Sequence, residues 1–146
     1  MKKVFENEDF FKTVTSTLLE NKSVSFLVKG TSMLPFFKSG VTEVFIFKKD
    51  EYKRHDVCLF KINDNYVLHR LIRIKNGLYY FRGDHLYNFE IVKSDSIIGS
   101  VYKYIENGKM YDVNKFTYKL KLNFFLLTKN IKMVLRKIYL GVRRGK

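Results

Sequence analysis

One cysteine, one proline and no tryptophan stand among the 146 residues. The lone Cys58 can form no internal disulfide and no multi-cysteine zinc site, which excludes a disulfide-stapled miniprotein and points to a reducing compartment. It sits in the apolar run Val57-Cys58-Leu59-Phe60, where a core thiol is the expectation. Long hydrophobic runs are missing too. Leu122 to Thr128 is among the longest uncharged stretches and ends at Lys129, far short of the roughly 20 apolar residues of a spanning helix. Near the N-terminus Glu6, Glu8, Asp9 and Lys12 interrupt the apolar stretch of about 7–15 residues that a secretory signal needs, so a cytoplasmic protein is expected. Acid is absent from the end of the chain: every Asp and Glu lies between Glu6 and Asp112, while residues 115–146 carry ten Lys and Arg. Ten of the fourteen net positive charges therefore belong to the tail, and the body is nearly balanced.

What is present suits one β-rich domain. Hydrophobic residues make up 46% of the chain and aromatics 16%, enough for a core of useful size. Phe10, Phe11, Val14 and Leu18 recur at helical spacing, with Asn7 as a candidate cap, and predict a short amphipathic helix over 8–21. From Ser23 to Tyr111 the pattern turns to short β-rich runs: Ser25–Lys29, Glu43–Lys48, Val57–Ile62, Tyr66–Ile74, Leu78–Arg82 and Ile97–Ile105. Asn63-Asp64-Asn65, Lys75-Asn76-Gly77 and Glu106-Asn107-Gly108 separate several of them as hairpin turns would. The fold class expected is mainly β (α+β), an antiparallel sheet or barrel over 1–112, followed by a basic amphipathic helical segment over 113–146. In that segment Phe124, Leu127, Ile131, Val134, Leu135 and Ile138 share one face, with Lys129, Lys132, Arg136 and Lys137 mostly opposite.

Three short motifs carry chemistry. Lys29-Gly30-Thr31-Ser32-Met33-Leu34-Pro35 places a serine after a β-run, between a glycine that lets the chain turn and a proline that stiffens the exit. A serine becomes a nucleophile only beside a base, and Tyr66-Val67-Leu68-His69-Arg70-Leu71 puts a histidine inside a strand. Phe81-Arg82-Gly83-Asp84-His85 ends a further strand at a carboxylate suited to orient an imidazole. Each motif alone has an ordinary structural explanation as a turn or a core residue. His55, Asp56, Cys58, His69, Asp84 and His85 show no zinc-motif spacing, so no metal and no cofactor are expected.

In this order the three motifs resemble the signal peptidase I superfamily, whose members read Gly-x-Ser-Met-x-Pro, then a strand bearing the general base followed by Arg, then Gly-Asp. The resemblance runs from about Phe26 to Tyr104. Ser39-Gly40-Val41 and His55-Asp56-Val57-Cys58-Leu59-Phe60 resemble the family's two Gly-Asp-hydrophobic strand entries, each altered by one residue, and Ile97-Ile98-Gly99-Ser100-Val101 resembles its closing strand. The base position holds His69, as in the branch that pairs serine with histidine rather than lysine. The resemblance implies a signal-peptidase/LexA-like core and a serine endopeptidase, a hydrolase that matures a precursor or leader peptide by acyl transfer. Ser32 would be the nucleophile and His69 the general base, with the oxyanion held by the backbone of Ser32 and Met33 and Thr31 as a further candidate donor. Of two acids for the imidazole, Asp84 is favoured for its short side chain, with Glu90 the alternative.

The resemblance is incomplete in two places. Membrane-anchored relatives carry a span before the serine motif, where this chain has only the charged helix over 8–21, and the self-cleaving repressor relatives carry a DNA-binding domain. A compact form acting on a peptide precursor is therefore expected. The competing readings are an idle peptidase-like module that binds extended peptides, and a basic nucleic-acid binder, which ranks last. For the tail the ordinary expectation is a helix packed through its apolar face. Phe125, Leu126, Met133 and Leu140 lie off that face, however, so more apolar surface is present than one packing stripe needs. Together with the unbalanced charge, this predicts peripheral contact of residues 116–146 with an anionic membrane on its cytoplasmic face, an acidic leader peptide being the competing partner.

Overall fold

Phe11, Val14 and Leu18 line one side of α1 (Glu8–Leu19) and are all buried, as their spacing requires. The computed structural model describes residues 8–144, so the candidate cap Asn7 lies outside the described residues. Eight strands follow in chain order: β1 (Val24–Leu27), β2 (Glu43–Phe47), β3 (Val57–Ile62), β4 (Asn65–Lys75), β5 (Leu78–Arg82), β6 (Glu90–Lys93), β7 (Ile97–Glu106) and β8 (Lys109–Asp112). They form one antiparallel sheet in the order β1-β2-β7-β3-β4-β5-β6, with β8 also paired to β7. The chain divides into two compact units, Met1–Tyr111 and Asp112–Lys146.

The turns are where local chemistry decides the fold. Asn63 and Asp64, Asn76 and Gly77, and Asn107 and Gly108 all have positive φ. Each pair joins successive antiparallel runs, and Asn, Asp and Gly are the residues that enter this region at least cost. Six strands fall where the apolar runs predict them. β6 and β8 do not announce themselves in the sequence, because each is four residues long and neither is a continuous apolar run.

One face of the sheet carries a buried cluster of Tyr52, Cys58, Phe60, Leu71, Phe81, Val92 and Ile97. Phe60 and Phe81 stack at 4.3 Å. Cys58 is fully buried in this cluster, and burial pushes its thiol well above the usual range, so it is a protonated core side chain. On the other side Phe11 of α1 stacks on Tyr66 of β4 at 4.5 Å. α1 approaches the sheet closely at Gly99, where a Cβ would lie 2.9 Å from the Phe47 carbonyl oxygen and 3.1 Å from Leu18 Cδ1.

The second unit contains α2 (Phe116–Arg144), 29 residues long. Its burial reverses the ordinary expectation. Tyr118 and Leu122 are buried, while the apolar face of Phe124, Leu127, Ile131, Val134, Leu135 and Ile138 is exposed along its length. No helix among the described residues is long and apolar enough to cross a membrane.

Candidate active site

β4 delivers two candidate side chains to opposite faces, because consecutive strand residues alternate. His69 pairs in register with Cys58 of β3, so its imidazole shares the apolar face of the core cluster. Arg70 pairs with Val57 on one side and Arg82 on the other, and points the other way.

On the His69 face the register runs from Leu71 through Phe81 of β5 to Glu90 of β6. Directly opposed residues share a face, and so do residues two apart in a strand, which brings Glu90 back to His69 across Phe81. His69 Nδ1 lies 2.8 Å from Glu90 Oε2, and the two residues are 3% and 7% exposed. An ionised carboxylate only accepts, so the tautomer that fits an ionised Glu90 carries its proton on Nδ1 and leaves Nε2 with the lone pair. Phe60 sets its ring edge against the imidazole, with centroids 6.3 Å apart.

Of the two acids weighed for the imidazole, Glu90 is the one hydrogen-bonded to it, while both carboxylate oxygens of the favoured Asp84 are engaged by Arg70. Asp84 follows the end of β5 on the Arg70 side and is taken by that guanidinium through a two-pronged pair, Nε to Oδ1 at 2.8 Å and Nη2 to Oδ2 at 2.7 Å. Arg70 Nη1 donates to the His55 carbonyl oxygen at 3.0 Å, and the guanidinium lies 5.0 Å from the centre of the Phe36 ring. This group ties the motifs together, since Phe36 belongs to the Ser32 turn and His55 precedes β3.

Ser32 is held by the same scaffold. Gly30 has φ 91° and donates its N–H to Ser39 Oγ at 3.0 Å, fixing the entry to the turn. The Leu34–Pro35 bond is cis. The His85 N–H donates to the Ser32 carbonyl oxygen at 2.9 Å, which joins the serine turn to the Gly83-Asp84-His85 loop. Ser32 is half-buried, Thr31 exposed and Met33 buried. Within the turn the N–H groups of Leu34, Phe36 and Phe37 donate to carbonyls, whereas among the described residues those of Ser32 and Met33 donate to no protein acceptor. Nor, among these residues, does a hydrogen bond join the Ser32 hydroxyl to His69. The structure brings the serine turn, the Arg70–Asp84 pair and the Gly83–His85 loop together, and leaves the hydroxyl-to-imidazole contact unmade. Among the described residues no three His, Cys, Asp or Glu side chains could share a metal ion.

Gly83 makes the closest of these approaches. A Cβ there would sit 2.7 Å from the Ser32 carbonyl oxygen and 2.9 Å from Leu86 Cδ1. Gly83→Ala is thus expected to push the serine turn outward, break the His85 bond to Ser32 and lower any Ser32-dependent activity about 10²-fold, as a displacement near 1 Å can. Unchanged activity with an unchanged melting temperature would show that the turn is not held through Gly83.

His55 explains one altered motif. It adopts φ 79°, the left-handed region that favours glycine, at the position where the strand-entry motif it resembles has glycine. Its side chain is half-buried, and burial, followed by Arg54 and Arg70, lowers its pKa from the usual 6.5. A histidine that is harder to protonate when folded contributes stability that is complete above its unfolded pKa and is lost as pH falls below it. His55→Asn, which tolerates the same φ and does not titrate, is expected to flatten the fall in melting temperature between about pH 7 and pH 5.5. An identical fall in both proteins would remove His55 from the acid sensitivity. No family model matches the chain, and no curated protein matches it.

Proposed function

We propose that the chain is a serine peptidase of the signal-peptidase type, with Ser32 as nucleophile, His69 as general base and Glu90 as the acid that orients the base. The observation that carries this reading is the buried His69–Glu90 pair. A histidine placed on an apolar sheet face with a carboxylate on Nδ1 has Nε2 left to take a proton, which is the arrangement a general base needs. The unused N–H groups of Ser32 and Met33 support it further, since an oxyanion needs donors not already engaged.

In the proposed reaction the Ser32 hydroxyl oxygen bonds to the scissile carbonyl carbon while His69 Nε2 takes the proton. The oxyanion is held by the Ser32 and Met33 N–H groups. His69 then returns the proton to the leaving amine as the C–N bond breaks, and a water molecule repeats the sequence on the acyl-enzyme to release the acid and regenerate Ser32. Bound substrate draws the serine hydroxyl and the base into line, as hydrogen bonds in catalytic sites tighten on going to the Michaelis complex. The substrate proposed is an extended peptide precursor. The fold assigned with this reading is the signal-peptidase/LexA-like core.

The test is incubation of the full chain with a proteome-derived peptide library, reading new termini by mass spectrometry. Cleavage at a consistent sequence, persisting in EDTA and absent with Ser32→Ala, supports the reading. No cleavage with retained binding of extended peptides would instead make the chain an idle peptidase-like module.

A further inference from the structure

We propose that α2 docks on the surface of an anionic phospholipid bilayer, with its exposed apolar stripe set into the headgroup boundary. This does not depend on the peptidase reading. At 3.6 residues per turn, Phe124, Leu127, Ile131, Val134, Leu135 and Ile138 fall within an arc of about 100°. All six are more than half exposed, from 51% at Ile131 to 69% at Phe124. The apolar residues with low exposure, Tyr118 and Leu122 foremost, lie on the opposite side of the helix. With the low-exposure set on one side of the helix and the six on the other, the stripe is the exposed face. Such a face on a helix of 29 residues, about 43 Å long, is far more than scattered surface hydrophobics.

Charge selects the occupant. Lys119 and Lys137 border the stripe on one side and Lys121 and Lys132 on the other, all exposed, and no Asp or Glu follows Asp112. Lysines flanking an apolar stripe can bury their stems and lift their ammonium groups to lipid phosphates, which is how an interfacial helix lies in the membrane plane. A second copy laid stripe to stripe would bring these lysines against their like, with no acid in the segment to offset them. A nucleic acid would meet the lysines and leave the stripe in water. The lysines and arginines also keep α2 below the hydropathy of a spanning helix, so the bilayer surface is the membrane site that fits it.

The test is co-sedimentation of the full chain with vesicles of phosphatidylglycerol and phosphatidylcholine, compared with phosphatidylcholine alone. Binding is expected on the anionic vesicles at low salt, falling at least about tenfold without phosphatidylglycerol, since each basic residue at an anionic surface strengthens binding by about fivefold. The double variant Ile131→Glu, Val134→Glu changes only exposed positions and is expected to lose at least about tenfold while melting at the parent temperature. The chain has no tryptophan, so Phe124→Trp adds a single reporter whose emission is expected to shift to shorter wavelength on anionic vesicles. Parent binding that the double variant retains in full, or no binding by the parent at low salt, would overturn the proposal. So would a parent dimer that the double variant dissolves, which would assign the stripe to a second copy.

Discussion

Under the proposed peptidase mechanism, Glu90→Gln is expected to lower peptide cleavage by roughly 10³–10⁴-fold, and Ser32→Ala and His69→Ala by more, with all three variants folded. The argument rests on what an amide does at the 2.8 Å contact with Nδ1. If the glutamine NH₂ donates to Nδ1, the ring proton must move to Nε2 and the base loses its lone pair. If the amide oxygen accepts instead, the geometry survives, but the negative charge that stabilises the imidazolium in the transition state is gone. Either way kcat falls, while KM, set by the extended peptide's contacts elsewhere, stays near the parent value. Glu90→Asp, which keeps the charge and shortens the reach, should recover part of the rate, and recovery by charge is what a packing defect would not show. Glu90→Gln cleaving at the parent rate would remove Glu90 from the mechanism, and Ser32→Ala cleaving at that rate would end the peptidase reading altogether.

The serine turn, the His69 strand and most hairpins could be read from residues alone because local chemistry specifies them. Asn76-Gly77 both need positive φ, and Leu78–Arg82 must then run back along β4. Which of the two acids meets His69 was not legible, and the reason is parity. His69 and Arg70 are neighbours in sequence but face opposite sides of the sheet, so the acid that serves one cannot serve the other. Asp84 was the nearer and shorter side chain, yet only the β4-β5 register, with Arg70 opposite Arg82, reveals that it follows β5 on the arginine's side. The place of Glu90 in a strand went unread for a related reason. Glu90 fills an inward position of β6 where a strand pattern expects an apolar residue, and this broke the alternation by which β6 could have been recognised. A carboxylate at a core position is itself the signal, readable once the register is known. In α2 the spacing separated two apolar sets but not which of them is covered. The larger stripe, through Phe124 and Ile138, is the exposed one.

Asp84→Asn is expected to lower stability by about 3–5 kcal/mol, a fall in melting temperature of about 10 °C or more, which makes it a lesion of the scaffold rather than of the proton transfer. Arg70 is fully buried and the Asp84 side chain is 1% exposed, so neither group recovers water when its partner is removed. The two-pronged pair and the His55 carbonyl satisfy three guanidinium nitrogens, and an asparagine at 84 would present an NH₂ to one of them. An exposed pair in the same chain sets the contrast: Lys12 and Glu8 are both more than 60% exposed, and water serves either one alone. The cost at Asp84 is therefore mostly that of an uncompensated buried charge, and it should shrink when that charge goes as well. Arg70→Gln combined with Asp84→Asn is expected to be less destabilised than the sum of the two single variants by about 1–3 kcal/mol, read from denaturant unfolding. Strict additivity, or an Asp84→Asn protein that melts with the parent, would mean that the Arg70–Asp84 pair does not hold the serine turn, β4 and the Gly83–His85 loop together.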